Sequence, residues 1–133
     1  MTSRSNNPGT PSAATEPFQF SYRNAGNEAE LLRLYADIFQ LTQAMLSGLT
    51  GMTFPSPTKS RPRLSLSQKQ EKVLTELDRL LTALSRIMPP SSIGPWFGRP
   101  NPAFDKRSPL HLVQAGEKDR IWRMLYDLSS GAF

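Results

Sequence analysis

Apolar residues recur at helical spacing in two long stretches of this chain. Leu31, Leu34, Tyr35, Ile38, Leu41, Met45 and Leu49 fall three or four residues apart, the mark of an amphipathic helix. Asn27 is placed to cap its start, with Glu30 three residues on in capping-box position. The stretch reads as one helix or as two with a break near Leu41-Thr42, and Gly51 ends it. A second helix is predicted from about Ser67 to Met88. Leu74, Leu77, Leu81, Leu84 and Met88 form its stripe, Leu80 and Ile87 widen it, and Pro89-Pro90 stops it.

The pattern weakens outside these stretches. Residues 1 to about 26 are rich in Ser, Asn, Pro, Thr and Gly without a period, and are expected to form a disordered arm. Phe18, Phe20 and Tyr22 alternate within it, the one hint of a short extended piece that docks. Residues 52 to 64 hold Pro55, Pro57 and Pro62, which deny the backbone a continuous helix. Lys59, Arg61 and Arg63 make this connector basic. No strand pattern and no internal repeat is present. The predicted fold is all-α: a small helical bundle with a C-terminal helical module. The chain divides into 1–26 (arm), 27–90 (helical region) and 91–133 (binding module).

The last third has the densest local grammar, WFGRPNPAFDKRSPLHLVQAGEKD from Trp96 to Asp119. Trp96 and Phe97 are expected to anchor a loop-rich region onto the core. Pro100 and Pro102 fix φ on either side of Asn101, which suits a turn. Ser108-Pro109 is a helix start, with the hydroxyl as cap and proline at the first helical position. Leu110, Leu112 and Val113 form a short apolar face, and Gly116 ends that helix in a left-handed conformation. Glu117 and Asp119 open the next helix, where negative charge complements the dipole. Ile121, Trp122, Leu125, Tyr126 and Leu128 continue at helical spacing until Gly131.

This block resembles the toxin-binding domain of Xre/MbcA/ParS-like antitoxins. The match is carried by Trp96, Pro100-Asn101-Pro102, Phe104, Arg107-Ser108-Pro109-Leu110, Leu112-Val113 and Gly116-Glu117, in the family's order and close to its spacing. The resemblance implies an antitoxin of a type II toxin–antitoxin system, with a RES-domain toxin that consumes NAD as partner and a C-terminal module that blocks the toxin's active site. Toxin-binding residues are then expected at Trp96, Asn101, Arg107, Ser108, Leu110, Glu117, Trp122, Gly131 and Phe133. The tail Ser129–Phe133 is expected to approach or enter the toxin's cleft, with Gly131 freeing it from the helix and Phe133 supplying an apolar group beside a carboxylate.

Antitoxins of this family often carry a helix-turn-helix before that domain. LTQAMLSGLTGMT, from Leu41 to Thr53, has a trace of one, but prolines interrupt the place where a recognition helix would follow. The region 27–90 is thus read as a degenerate helix-turn-helix or a dimerisation unit. Nucleic-acid contact, if present, is assigned to Lys59, Arg61 and Arg63, and would be made mainly to phosphates. The alternative reading is a DNA-binding transcriptional regulator whose C-terminal domain mediates self-association.

Composition changes this picture little. A chain of 133 residues supports one domain, or one small domain with an appendage. With no cysteine, disulfides and thiolate metal sites are excluded, which suits the cytoplasm. No apolar run approaches the ~20 residues that span a bilayer, and no membrane partner is expected. The net charge of +5 is compatible with an acidic or nucleic-acid partner. The single histidine, His111, is read as a surface or packing residue. With no nucleophile elbow and no phosphate-binding glycine loop, no catalytic residue, metal site or cofactor is assigned. The apolar faces of 27–50 and 67–88 exceed what so short a chain is expected to hide, so a homodimer that assembles with the toxin is the expected state.

Overall fold

Six α-helices and three short 3-10 turns, with no strand among them, carry the described residues, 20–54 and 62–129, in a computed structural model of the chain. The all-α expectation holds. Helix α1 spans Glu28–Phe39. The Asn27 side chain accepts from the Glu30 N–H at 2.9 Å. The Glu30 carboxylate reaches back one residue further than a capping box requires, to the N–H of Gly26. Gln40 then turns left-handed (φ 56°), and α2 covers Gln43–Thr50 with Thr42 as cap. The expected break near Leu41-Thr42 is therefore real. Leu41 is buried inside it. Gly51, at φ 72°, closes α2.

Helix α3 spans Gln68–Leu84. Ser67 and Gln70 form a reciprocal capping box at 3.1 and 2.9 Å. The helix stops four residues short of the expected Met88. The N–H groups of Ile87 and Met88 both turn back to the Leu84 carbonyl, at 3.0 and 3.1 Å. The residue before a proline avoids helical backbone, so Pro89 reaches back into this turn. In consequence Ile87 does not widen the buried stripe; it is 45% exposed.

A 3-10 turn at Pro90–Ser92 runs directly into α4, Ile93–Gly98. Here the expectation of a loop around Trp96 is corrected: Trp96 sits on a short helix whose Ile93, Gly94 and Phe97 are buried. Gly94 makes this possible. A Cβ at that position would run into the backbone carbonyl of Gln40. Helix α4 thus packs backbone to backbone on the end of α1, where periodicity alone gave no helix.

Helix α5 is Pro109–Gln114 and α6 is Lys118–Ser129. Between them Gly116 (φ 79°) donates to the Val113 carbonyl at 3.1 Å, and the Glu117 N–H donates to that of Leu112 at 2.8 Å. This pair of bonds is a Schellman motif, and it lets α6 fold back on α5.

The core runs through all of these elements, and it includes the start of the described chain. Phe20, Tyr22 and Ala25 are buried. The expectation of a disordered arm through residue 26 therefore fails from Phe20 onward. The Phe20 ring packs at 5.0 Å from Tyr35 and edge-on at 5.2 Å from Phe39. The alternation of Phe20 and Tyr22 was the signal for this docking; the polar composition around them outweighed it. Of the two leucine stripes, Leu31, Leu74, Leu81 and Leu84 are wholly buried within the chain.

Asp78 is the buried charged residue of this core among the described positions. Its carboxylate accepts from the Tyr22 N–H at 2.7 Å and from the Tyr35 hydroxyl at 2.6 Å. Burial raises its pKa to about 6, and wins over both hydrogen bonds and the nearby Arg23, all of which favour the charged form. Burial also drives the Tyr35 hydroxyl far above the ordinary tyrosine range. The three groups tie the segment at residue 22 to α1 and α3.

Candidate protein-binding site

Asn101 organises the module that the C-terminal third forms. Its N–H donates to the Arg107 carbonyl at 3.1 Å, and its own carbonyl accepts from Phe104 and Lys106 at 2.9 and 3.0 Å. Its side chain accepts from the Ala103 N–H at 2.9 Å, which starts a 3-10 turn at Pro102–Phe104. Asp105 and Lys106 both take positive φ, 58° and 67°. That is the requirement of a type I′ turn, met here without glycine. The turn delivers Arg107 toward the head of α6.

Arg107 grips Glu117 through both guanidinium nitrogens, at 2.9 and 3.0 Å. Arg120 approaches the same carboxylate at 3.7 Å and Asp105 at 3.3 Å, and lies 5.8 Å from the centre of the Phe104 ring. The Arg107 hydrogen bond holds the Glu117 carboxyl below its usual range, and Glu117 raises Arg107 in return. Glu117 thus braces a turn against a helix; α6 itself begins one residue later, at Lys118. The Ser108 hydroxyl accepts from the His111 N–H at 3.2 Å, as its cap position predicts.

Of the nine residues expected to bind a toxin, the structure brings together Trp96, Asn101, Arg107, Ser108 and Glu117. Trp96 is half-buried and packs edge-on to Phe97 at 5.2 Å and to Phe104 at 6.4 Å, so it supports the turn from beneath. Leu110 lies apart, half-buried against α2; a Cβ on Gly48 would stand 3.1 Å from its Cδ1. Trp122 is separated too. Helix α6 shows two flanks: Arg120, Met124 and Asp127 face the Ala103-Phe104 turn, whereas Lys118 and Trp122 face α3. Lys118 pairs there with Glu76 at 2.8 Å. Gly131 and Phe133 lie outside the described residues, as do Lys59 and Arg61. Arg63 is exposed beside Arg23 and Glu71. In the helix-turn-helix position the residues after α2, 51–54, are non-helical, and the next described helix is α3.

Some surface residues of this module were missed. Arg120 follows Glu117 by three residues, a spacing that permits an ion pair, so it had a readable signal. Its second contact, to Asp105, depends on the turn and had none. Tyr126, 70% exposed, was also passed over; it stands one turn after Trp122, which is 39% exposed on the flank toward α3. Among the described residues no group of three or more His, Asp or Glu side chains is arranged to hold a metal ion. No helix there is long and apolar enough to cross a membrane. No protein-family model, curated protein or solved structure matches this chain.

Proposed function

We propose that this chain is a cytoplasmic antitoxin that binds a cognate RES-type toxin through its C-terminal third and blocks the toxin's access to NAD. The resemblance of the Trp96–Asp119 block to antitoxin toxin-binding domains supports the reading. The observation that carries it furthest is the rigid presentation of α6. Asn101, Arg107 and Glu117 fix its head, Tyr126 stands open to solvent, and Trp122 one turn earlier is exposed in part beside α3. Exposed aromatics on a rigid element make the kind of anchor that dominates protein interfaces. The homodimer expected from the sequence belongs to the same proposal, as the unit that assembles with the toxin.

Co-expression tests it. A RES-domain toxin encoded beside this chain should arrest growth and deplete NAD when alone, and should do neither when the chain is present. The two proteins should co-purify. Unchanged toxicity with the chain abundantly expressed would refute the reading. The net charge of +5 favours one rival, a DNA-binding regulator whose C-terminal domain drives self-association. That rival predicts tight, sequence-selective binding to its own upstream DNA without any toxin.

A further inference from the structure

The flank of α6 that faces α3 belongs to a surface that the toxin-binding reading does not use, Trp122 apart. Trp122 stands at its centre and lines two adjoining depressions. On one side is a groove of about 500 Å³ whose floor includes Leu49, Val73, Leu80 and Val113. On the other is a cleft of about 620 Å³ whose rim carries Arg23, Arg79 and Arg86 together with the hydroxyls of Thr75 and Thr82.

The charge of this cleft is unbalanced. Among the described residues neither Arg79 nor Arg86 has a carboxylate within 4.0 Å. Glu76, three residues before Arg79, is committed to Lys118 at 2.8 Å. Arg23 lies over the Tyr22 ring at 4.6 Å and reaches Glu71 only at 3.9 Å, with both side chains about half exposed or more (63% and 48%). The one carboxylate lining the cleft, Asp78, is turned inward and occupied by the Tyr22 N–H and the Tyr35 hydroxyl. A groove with an apolar floor, lined also by Glu76, Lys118 and Asp119, thus adjoins a partly exposed indole and the guanidinium groups of Arg79 and Arg86, which lack a carboxylate partner among the described residues.

We propose that the α3–α6 surface around Trp122 is a docking site for an acidic, amphipathic peptide segment of a partner protein. Apolar side chains of the segment fill the groove beside Leu80 and Val113, and its carboxylates meet Arg79, Arg86 and Arg23. Guanidinium groups suit this role because their planar forks match carboxylates two bonds at a time. Both depressions are open and shallow, unlike the enclosed sites that bury most of a small ligand. Residues 1–19 of the same chain are poor candidates for the occupant, with Arg4 and Glu16 as their only charged side chains. The inference does not depend on the identity of the toxin.

The test uses the full chain and fluorescence anisotropy. One probe is a labelled peptide of alternating acidic and leucine or phenylalanine residues. A second is the same peptide with every Asp and Glu replaced by Asn and Gln. A single-stranded DNA oligonucleotide of equal length serves as competitor. The acidic peptide should bind and the neutral one should not. Arg79→Glu/Arg86→Glu should weaken binding by at least about tenfold, or about 1.4 kcal/mol. Arg79→Gln/Arg86→Gln should weaken it less, and Trp122→Ala should weaken it independently of charge. Both arginines are exposed, so the paired variants should melt as the parent does. Equal binding of the neutral peptide, no effect of either arginine pair, or displacement by DNA with Trp122→Ala without effect would each overturn the proposal. So would displacement of the probe by an excess of unlabelled chain lacking any peptide, which would show a second copy to be the occupant. Loss of toxin neutralisation in an Arg107 variant that still binds the acidic peptide would separate the two surfaces.

Discussion

Asp78 and Arg107 each fasten a segment of this protein, in opposite surroundings. Asp78 is 7% exposed and joins residues 56 and 43 positions away in sequence. Arg107 and Glu117 are 31% and 38% exposed in their side chains and lie ten residues apart. The first tie holds the opening segment to the core, where a lost partner leaves donors stranded away from water. The second shapes a local turn at the surface, where water can replace a lost partner. The inner tie therefore decides whether the bundle forms, and the outer brace decides how α6 is presented to a partner.

The largest effect that would break this contrast is expected at Gly94, where the two halves meet. Gly94→Ala puts a methyl group against the Gln40 carbonyl. It should cost about 3 kcal/mol or more, since overpacking backbone against backbone cannot be relieved by a rotamer change. Chemical denaturation measures this; a variant of wild-type stability would show that α4 does not sit on α1 as described.

Asp78→Ala ranks next. It strands the Tyr22 N–H and the Tyr35 hydroxyl, and should cost about 2–3 kcal/mol. Asp78→Asn sharpens the comparison through pH. The folded pKa of Asp78, about 6, lies above the ordinary 3.8, so the folded state holds the proton more tightly than the unfolded one. Its contribution is fully present below the lower value and is lost as pH rises through the upper one. Wild type should therefore lose stability relative to Asp78→Asn between about pH 4 and 7. Glu117 runs the other way: its folded pKa is lowered, so its contribution is present above its ordinary value and fades on acidification. Amide exchange resolved by region should show residues 20–26 tightening, and 101–118 loosening, as pH falls toward 4. Parallel behaviour of the two regions would end the contrast.

Two local changes in the C-terminal module should act with opposite signs. Ser108→Ala removes the cap of α5 and should cost about 1 kcal/mol. Lys106→Gly relieves a left-handed residue and should stabilise by about 0.5–1 kcal/mol. Melting curves of the two variants check both; equal shifts in one direction would contradict the turn geometry.

The same division explains what could be read from the sequence. Devices that act within a few residues were legible: the Asn27 and Ser108 caps, the helix start near Ser67, the break near Leu41-Thr42, and the glycine ends at Gly51 and Gly116. Features built by chain reversal were not. The burial of Asp78 depends on Tyr22 and Tyr35 arriving from other elements, and an aspartate inside a leucine stripe carries no sign of them. Helix α4 is too short for periodicity to reveal, and its glycine reads as a breaker until the neighbouring backbone is known. In the candidate site, Ser108 and Asn101 were visible as local grammar, and the Arg107–Glu117 pairing was not. The placement of Trp122 on the opposite flank of α6 from Arg120 follows from helical geometry only once the elements packed on each flank are known.

The measurement that bears most directly on the account is a titration of the purified chain against NAD consumption by its cognate RES-domain toxin. The account predicts inhibition that saturates at a fixed ratio of the two proteins. It further predicts weaker inhibition by Trp122→Ala and Arg107→Ala variants that remain folded. NAD consumption that is unchanged at saturating chain would contradict it.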